Sequence, residues 1–233
     1  KGRRYEIAGK EVKNAVLYDG KDCAAETPGR GCLIDKRYVS YLGNWRIFAL
    51  MVWVMMLRRG FNRAKQLVIL SDGADWIRSL AEWLPVDVLL ILDLYHVKKR
   101  IREVANLCFG ASTKEAASWA KTQCHRIEQG AATQVIEALR FLNPRGKEAT
   151  DKVEDLNGYL SNNRDRMDYP TYRKMGLRVG SGAVESANFH VTGNRLKLQG
   201  MRWSEDGARI MALLRADLFN GYWESTTKEL IAA

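Results

Sequence analysis

Apolar and polar positions repeat with different periods in the two halves of this chain. Glu11 to Tyr18 (EVKNAVLY) and Arg37 to Leu42 (RYVSYL) are short and rich in β-branched and aromatic residues, the pattern of strands. The Gly/Pro/Asp-rich stretch Asp19 to Gly31 reads as the loop between two strands of a meander. Asn44 to Arg59 has helix length, with Asn44 as N-cap and Gly60 as stop, and its apolar face is so broad that burial against a sheet is expected. Gln66 to Leu70 is a continuous apolar run ending in Ser-Asp-Gly, which predicts a central strand covered on both faces. Trp76 to Leu84 predicts a short helix stopped by Pro85, and Asp87 to Leu92 another apolar strand. The order β-β-α-β-α-β implies an α/β fold, a mixed sheet with helical cover.

Beyond His96 the spacing becomes helical. Lys98 to Leu107, Thr113 to Gln129, Thr133 to Phe141 and Glu148 to Asn162 predict four helices punctuated by Gly110, Gly130 and Asn143-Pro144-Arg145-Gly146. Asn163 to Val179 reads as a basic irregular segment. A helix is expected to start near Ala183, and a last one spans Ser204 to Phe219 with Ser204-Glu205-Asp206 at its favourable end.

Charge and composition narrow the function. The 233 residues carry 37 Lys plus Arg against 27 acids, a net +10, which points to a polyanionic partner. The longest apolar run, Ile47 to Leu57, is too short for a bilayer, which needs about 20 residues, and Lys1 to Arg4 offers no cleavable leader. The cysteines Cys23, Cys32, Cys108 and Cys124 form no C-x-x-C pair and read as reduced thiols; Cys124-His125 lacks the local spacing of a zinc site.

Three acids stand where chemistry is expected. Asp72 follows an apolar strand and precedes a glycine, at the carboxyl edge where α/β proteins place ligands, although Asp-Gly also simply makes turns. Asp93 closes the next strand, with His96 three residues on, so both acids share an edge if the strands are parallel neighbours. The plain alternative for His96 is a half-buried, hydrogen-bonded imidazole. Glu185 lies in Gly180-Ser181-Gly182-Ala183-Val184-Glu185-Ser186, near a helix start, where an acid is favourable by about 0.3–1 kcal/mol without catalysing anything. From Arg164 to Arg202, eight basic residues face three acids, interleaved with Tyr169, Tyr172, Phe189 and Trp203. Such a segment can neutralise phosphates and stack on bases, or be a solvated face with aromatics turned inward.

Taken in order, Ser71-Asp72-Gly73-Ala74-Asp75-Trp76-Ile77, Leu92-Asp93-Leu94-Tyr95-His96-Val97, Arg166-Met167-Asp168-Tyr169-Pro170, the Gly180 to Ser186 segment and Arg195-Leu196-Lys197-Leu198-Gln199-Gly200-Met201-Arg202-Trp203-Ser204 resemble a bacterial insertion-sequence transposase of the DDE class. The match is close to the ISKra group, is similar to mutator-like transposases, and covers about residues 10–223. It implies a ribonuclease H-like core over residues 1–97, an all-helical insertion with a basic linker over 98–179, and a return helix with the catalytic glutamate over 180–233. Asp72 and Glu185 would be the second and third catalytic acids and metal ligands, with Asp93 and His96 an accessory D-x-x-H element; a less favoured assignment makes Asp93 the second acid. The first aspartate would precede the strand matching Lys10 to Lys13, so a fragment lacking it is implied, Asp19 being a poor substitute. Two Mg²⁺ (or Mn²⁺) ions, DNA contacts through Arg195, Lys197, Arg202 and Trp203, a homo-oligomer in the transposition complex and a cytoplasmic, nucleoid-associated setting complete the expectation. An inactive DNA-binding remnant, a nuclease or resolvase on the same core, and a non-catalytic interaction protein are the alternatives.

Overall fold

The computed structural model describes residues 9–20, 23–27 and 30–232. Its strands are β1 (Val12–Leu17), β2 (Cys23–Thr27), β3 (Arg30–Leu33), β4 (Arg37–Leu42), β5 (Leu67–Ser71) and β6 (Val88–Leu92). Its helices are α1 (Trp45–Arg58), α2 (Asp75–Trp83), α3 (Leu94–Phe109), α4 (Lys114–Glu128), α5 (Ala132–Arg140), α6 (Lys147–Asn162), α7 (Tyr169–Lys174), α8 (Gly182–Ala187), α9 (Asn194–Leu196), α10 (Glu205–Asn220) and α11 (Trp223–Ala232). Two 3₁₀ turns, Phe61–Arg63 and Arg164–Arg166, and a π-helical turn, Asn188–Gly193, complete the set. The chain divides into two compact units, Lys1–Ala64 with Gly182–Ala233, and Lys65–Ser181.

The first unit is built on β1 and β4, antiparallel in register from Val12↔Leu42 to Leu17↔Arg37. The loop expected over Asp19 to Gly31 instead contains a second antiparallel pair, β2 with β3. Positions 21, 22, 28 and 29 of that stretch, and the Lys1 to Arg4 segment, lie outside the described residues. Turn-forming residues dominate the local pattern there because the intervening strands are too short to show a period. Helices α1 and α10 pack on β4. Asn220, at the end of α10, accepts from Tyr38 N (2.7 Å) and donates to Tyr38 O (2.8 Å), so its amide stands where a further strand would pair. Asn44 caps α1 as expected, accepting from Arg46 N. Only one face of α1 is buried, however, through Phe48, Ala49, Val52, Met55 and Met56; Ile47, Leu50, Val54 and Leu57 stay exposed among the described residues. The breadth of its apolar stripe exceeds what one sheet can cover.

The second unit starts with β5 and β6, which are parallel and joined through α2. The crossover length is what a parallel pair requires. Gln66 to Leu70 is therefore a strand, but among the described residues it pairs on one side only and is half-buried rather than enclosed. The described strands form three two-stranded sheets instead of the single mixed sheet anticipated. Helices α3 to α7 supply the rest of the core. On α3 the buried positions Leu94, Val97, Ile101, Val104 and Ala105 follow the helical repeat, and they join Ile91, Ile127, Leu156 and Tyr169 in one cluster. Ile91 and Leu92 belong to that same cluster, so the strands before residue 97 and the helices after it share the compact unit Lys65–Ser181. The basic segment Asn163 to Val179 is a packed element rather than an irregular one. Arg166, Met167, Tyr169 and Tyr172 are buried, and Asp168 caps α7 by accepting from Thr171 N. No helix among the described residues is long and apolar enough to cross a membrane.

Candidate functional site

Parallel pairing decides the positions of two acids. Ser71 is registered on Leu92, and Asp93 N donates to Ser71 O at 2.7 Å, so Asp72 and Asp93 leave the same carboxyl edge of neighbouring strands. Their environments then diverge. Asp93 is 1% exposed and both carboxylate oxygens are occupied. Oδ1 accepts from Tyr95 N (2.7 Å) and His96 N (3.2 Å), capping α3, while Oδ2 accepts from Ser181 N (3.1 Å) and from the Ser181 hydroxyl. Leu94 N also donates to Val179 O, which fixes the 179–181 segment against the start of α3.

Asp72 is exposed, and among the described residues its carboxylate makes one hydrogen bond, accepting from Ala74 N at 3.3 Å. Its backbone is held more firmly than its side chain. The Tyr159 hydroxyl donates to Asp72 O at 2.8 Å, and burial pushes that phenol well above its ordinary range, so it remains a neutral donor. Gly73 sits at φ +88°, and a Cβ there would meet Leu92 Cδ1 at 2.7 Å and Tyr159 Cε2 at 3.1 Å. The Asp-Gly pair thus makes a turn and also presents a free carboxylate oxygen; the turn does not exclude the chemistry.

His96 meets Asp93 through its backbone N–H, and its ring centroid lies 6.3 Å from that of Tyr159. With Lys99, Arg100 and Lys152 it lines a cleft of about 180 Å³ between α3 and α6. Tyr159, absent from the sequence-derived candidates, also lies under the Arg100 guanidinium at 4.1 Å. Nothing in its local sequence marks it, since its partner Asp72 is 87 positions away. Arg166, which its sequence neighbours suggest to be part of a basic surface, is 2% exposed, and its Nε has no partner. Burial and then Arg78 press its pKa down, while Asp165, Asp75 and Tyr159 oppose them.

In the first unit, Glu185 is exposed on α8, which packs on β1 and continues into the π-helical turn. Asn14 of β1 donates to Asn188 Oδ1 (2.7 Å) and Thr192 Oγ1 (3.4 Å), so this turn is tied to the strand. Arg195, Lys197, Arg202 and Trp203 are all exposed, and none of the three cations has an ion-pair partner among the described residues. Arg215, which donates to the His190 and Val191 carbonyls, has its pKa lowered by burial and then by Arg195. Of the four aromatics interleaved with the basic residues, Phe189 and Trp203 are exposed, whereas Tyr169 and Tyr172 belong to the core and are not placed to stack on bases. Tyr169 instead donates its hydroxyl to Leu92 O at 3.0 Å.

The structure therefore brings Asp72, Asp93 and His96 together in the second unit and places Glu185 and the four DNA-contact candidates in the first. Among the described residues no group of three or more His, Cys, Asp or Glu is gathered as a metal site.

Antiparallel pairing in the first unit, and two parallel strands with acids at their carboxyl edge plus a helical block in the second, define a mixed α/β protein rich in helix. The chain belongs to the family described as "Uncharacterised protein family (UPF0236)", whose match covers residues 9–229. Its relatives include UPF0236 proteins of Caldanaerobacter subterraneus subsp. tengcongensis that are 25%, 24% and 23% identical over 212 residues, 88% of this chain and 42% of each relative. The chain thus spans less than half the length of these curated relatives. The name of the first joins eleven numbered designations, and that of another joins four. No solved structure matches the chain.

Proposed function

We propose that this chain is part of a DDE-type DNA transposase that cleaves phosphodiesters at element ends and joins them to target DNA. The observation that carries this reading is the unequal treatment of the two acids at the β5/β6 edge. Asp93 has every oxygen engaged in holding backbone, while Asp72 keeps a solvent-facing carboxylate on a rigidly held turn. That contrast favours Asp72 over Asp93 as the second catalytic acid. Glu185, exposed on a helix tied to β1, is the third. The antiparallel β1/β4 and parallel β5/β6 pairs are the two kinds of pairing a ribonuclease H-like mixed sheet combines. One protein name carrying eleven designations in a single organism also fits a sequence multiplied as mobile elements are.

Asp72 and Glu185 are each exposed carboxylates, oxygen donors of the kind hard divalent cations take. In a DDE transposase, Mg²⁺ held by such acids would stabilise charge developing on the attacking and leaving oxygens. The chain's own residues do the positioning. Tyr159 and Gly73 fix the Asp72 turn, Asp93 locks the start of α3 to Ser181, and Arg195, Lys197 and Arg202 neutralise DNA phosphates while Trp203 offers a stacking face.

In the full reading frame containing this chain, Glu185→Gln is expected to abolish strand joining on pre-cut element ends while DNA affinity survives. Full joining activity in that variant would refute the role of Glu185. Cleavage without any joining by the unaltered protein would favour a nuclease or resolvase instead.

A further inference from the structure

Away from these residues, α3 and α4 enclose a groove of about 530 Å³. Lys98 and Arg102, one turn apart on α3, and Lys121 and His125, one turn apart on α4, all line it. Ala116 and Ala120 form part of its wall, where small side chains leave the space open. Glu128 is the single acid among the lining residues, and Lys98 holds it in an ion pair. Arg173 also acts on that carboxylate, so two cations face it. Cys124 adds no negative charge, because burial pushes its thiol up from the ordinary range. Arg102 and Lys121 are exposed and have no ion-pair partner among the described residues.

Arg102 on α3 and Lys121 on α4 set like charge on the two sides of the groove, with no carboxylate of their own to offset it among the described residues. A polyanion lying in the groove would offset that charge. We propose that the α3/α4 groove is a second backbone-binding site for duplex DNA, in which Arg102 and Lys121 contact phosphates, separate from the Arg195 to Trp203 segment. The choice of DNA as the polyanion rests on the transposase reading. Contacts of this kind are sequence-independent and strongly salt-dependent, so the site would grip DNA flanking the reacting bond without reading bases.

The test measures the affinity of the whole protein for a random-sequence duplex as a function of salt, for the unaltered protein, for Arg102→Gln with Lys121→Gln, and for Lys197→Gln. The double variant is expected to reduce the magnitude of the log–log salt slope by about two, and Lys197→Gln by about one. Arg102→Lys with Lys121→Arg should keep the original slope, which separates charge from a packing defect. If Lys197→Gln lowers the slope and the double variant does not, the groove is not a DNA site and the transposase reading stands. If the unaltered protein shows no salt-dependent DNA binding, both ideas fall.

Discussion

Asp72 and Asp93 each follow an apolar strand, yet tertiary contacts give them opposite environments. The Asp93 carboxylate accepts four hydrogen bonds, two of them from Ser181, 88 positions later. Asp93→Ala would lose a helix cap and strand buried donors, so a loss of about 2–4 kcal/mol is expected in urea unfolding. Asp72→Ala removes one exposed contact and should change stability by less than about 1 kcal/mol. Equal effects from the two substitutions would show that Asp93 does not carry the scaffolding load its hydrogen bonds imply. The sequence placed both acids at strand ends but held no sign of Ser181 or Tyr159 as their partners, because neither pairing is local. Arg166 was illegible for the same reason: its neighbours suggest a basic surface, whereas packing buries it.

At the level of elements, local signals are legible and neighbours are not. Asn44, Thr113 and Ser204 cap α1, α4 and α10 where cap chemistry predicts, because a capping side chain bonds within its own turn. What the far side of α1 meets, or whether β5 has one partner or two, depends on chain that periodicity cannot see. Between α3 and α4 the Lys98–Glu128 pair supplies a pH-dependent contribution. Hydrogen bonding to Lys98, opposed by burial, holds the Glu128 carboxyl below its ordinary value of 4.5. A depressed folded-state pKa means the contribution is complete above about 4.5 and fades as pH falls through the lower folded value. The stability difference between the protein and Glu128→Gln should therefore shrink steadily as the solution is acidified below the ordinary carboxylate value of 4.5. A difference independent of pH across that window would show that the pair does not stabilise the fold.

For the molecule as a whole, the chain leaves the first unit at Lys65 and re-enters it at Gly182, so the second unit is one continuous segment with its own buried cluster. Residues 65–181 expressed alone are expected to retain helical circular dichroism and to melt cooperatively, since domains with their own core fold independently. A featureless, non-cooperative melt would contradict that expectation. The three-part division drawn from sequence follows the change from strand to helix. The division into compact units follows the core, since β5 and β6 share buried contacts with the helices that come after them.

Whatever is encoded over a few residues could be read from the chain alone: the main strands and helices, their caps and the basic excess. Folding in three dimensions settled which acid is free and which is a scaffold, which aromatics face solvent, and which cations share a groove. Those outcomes depend on contacts between residues tens of positions apart, and such contacts leave no trace in local spacing.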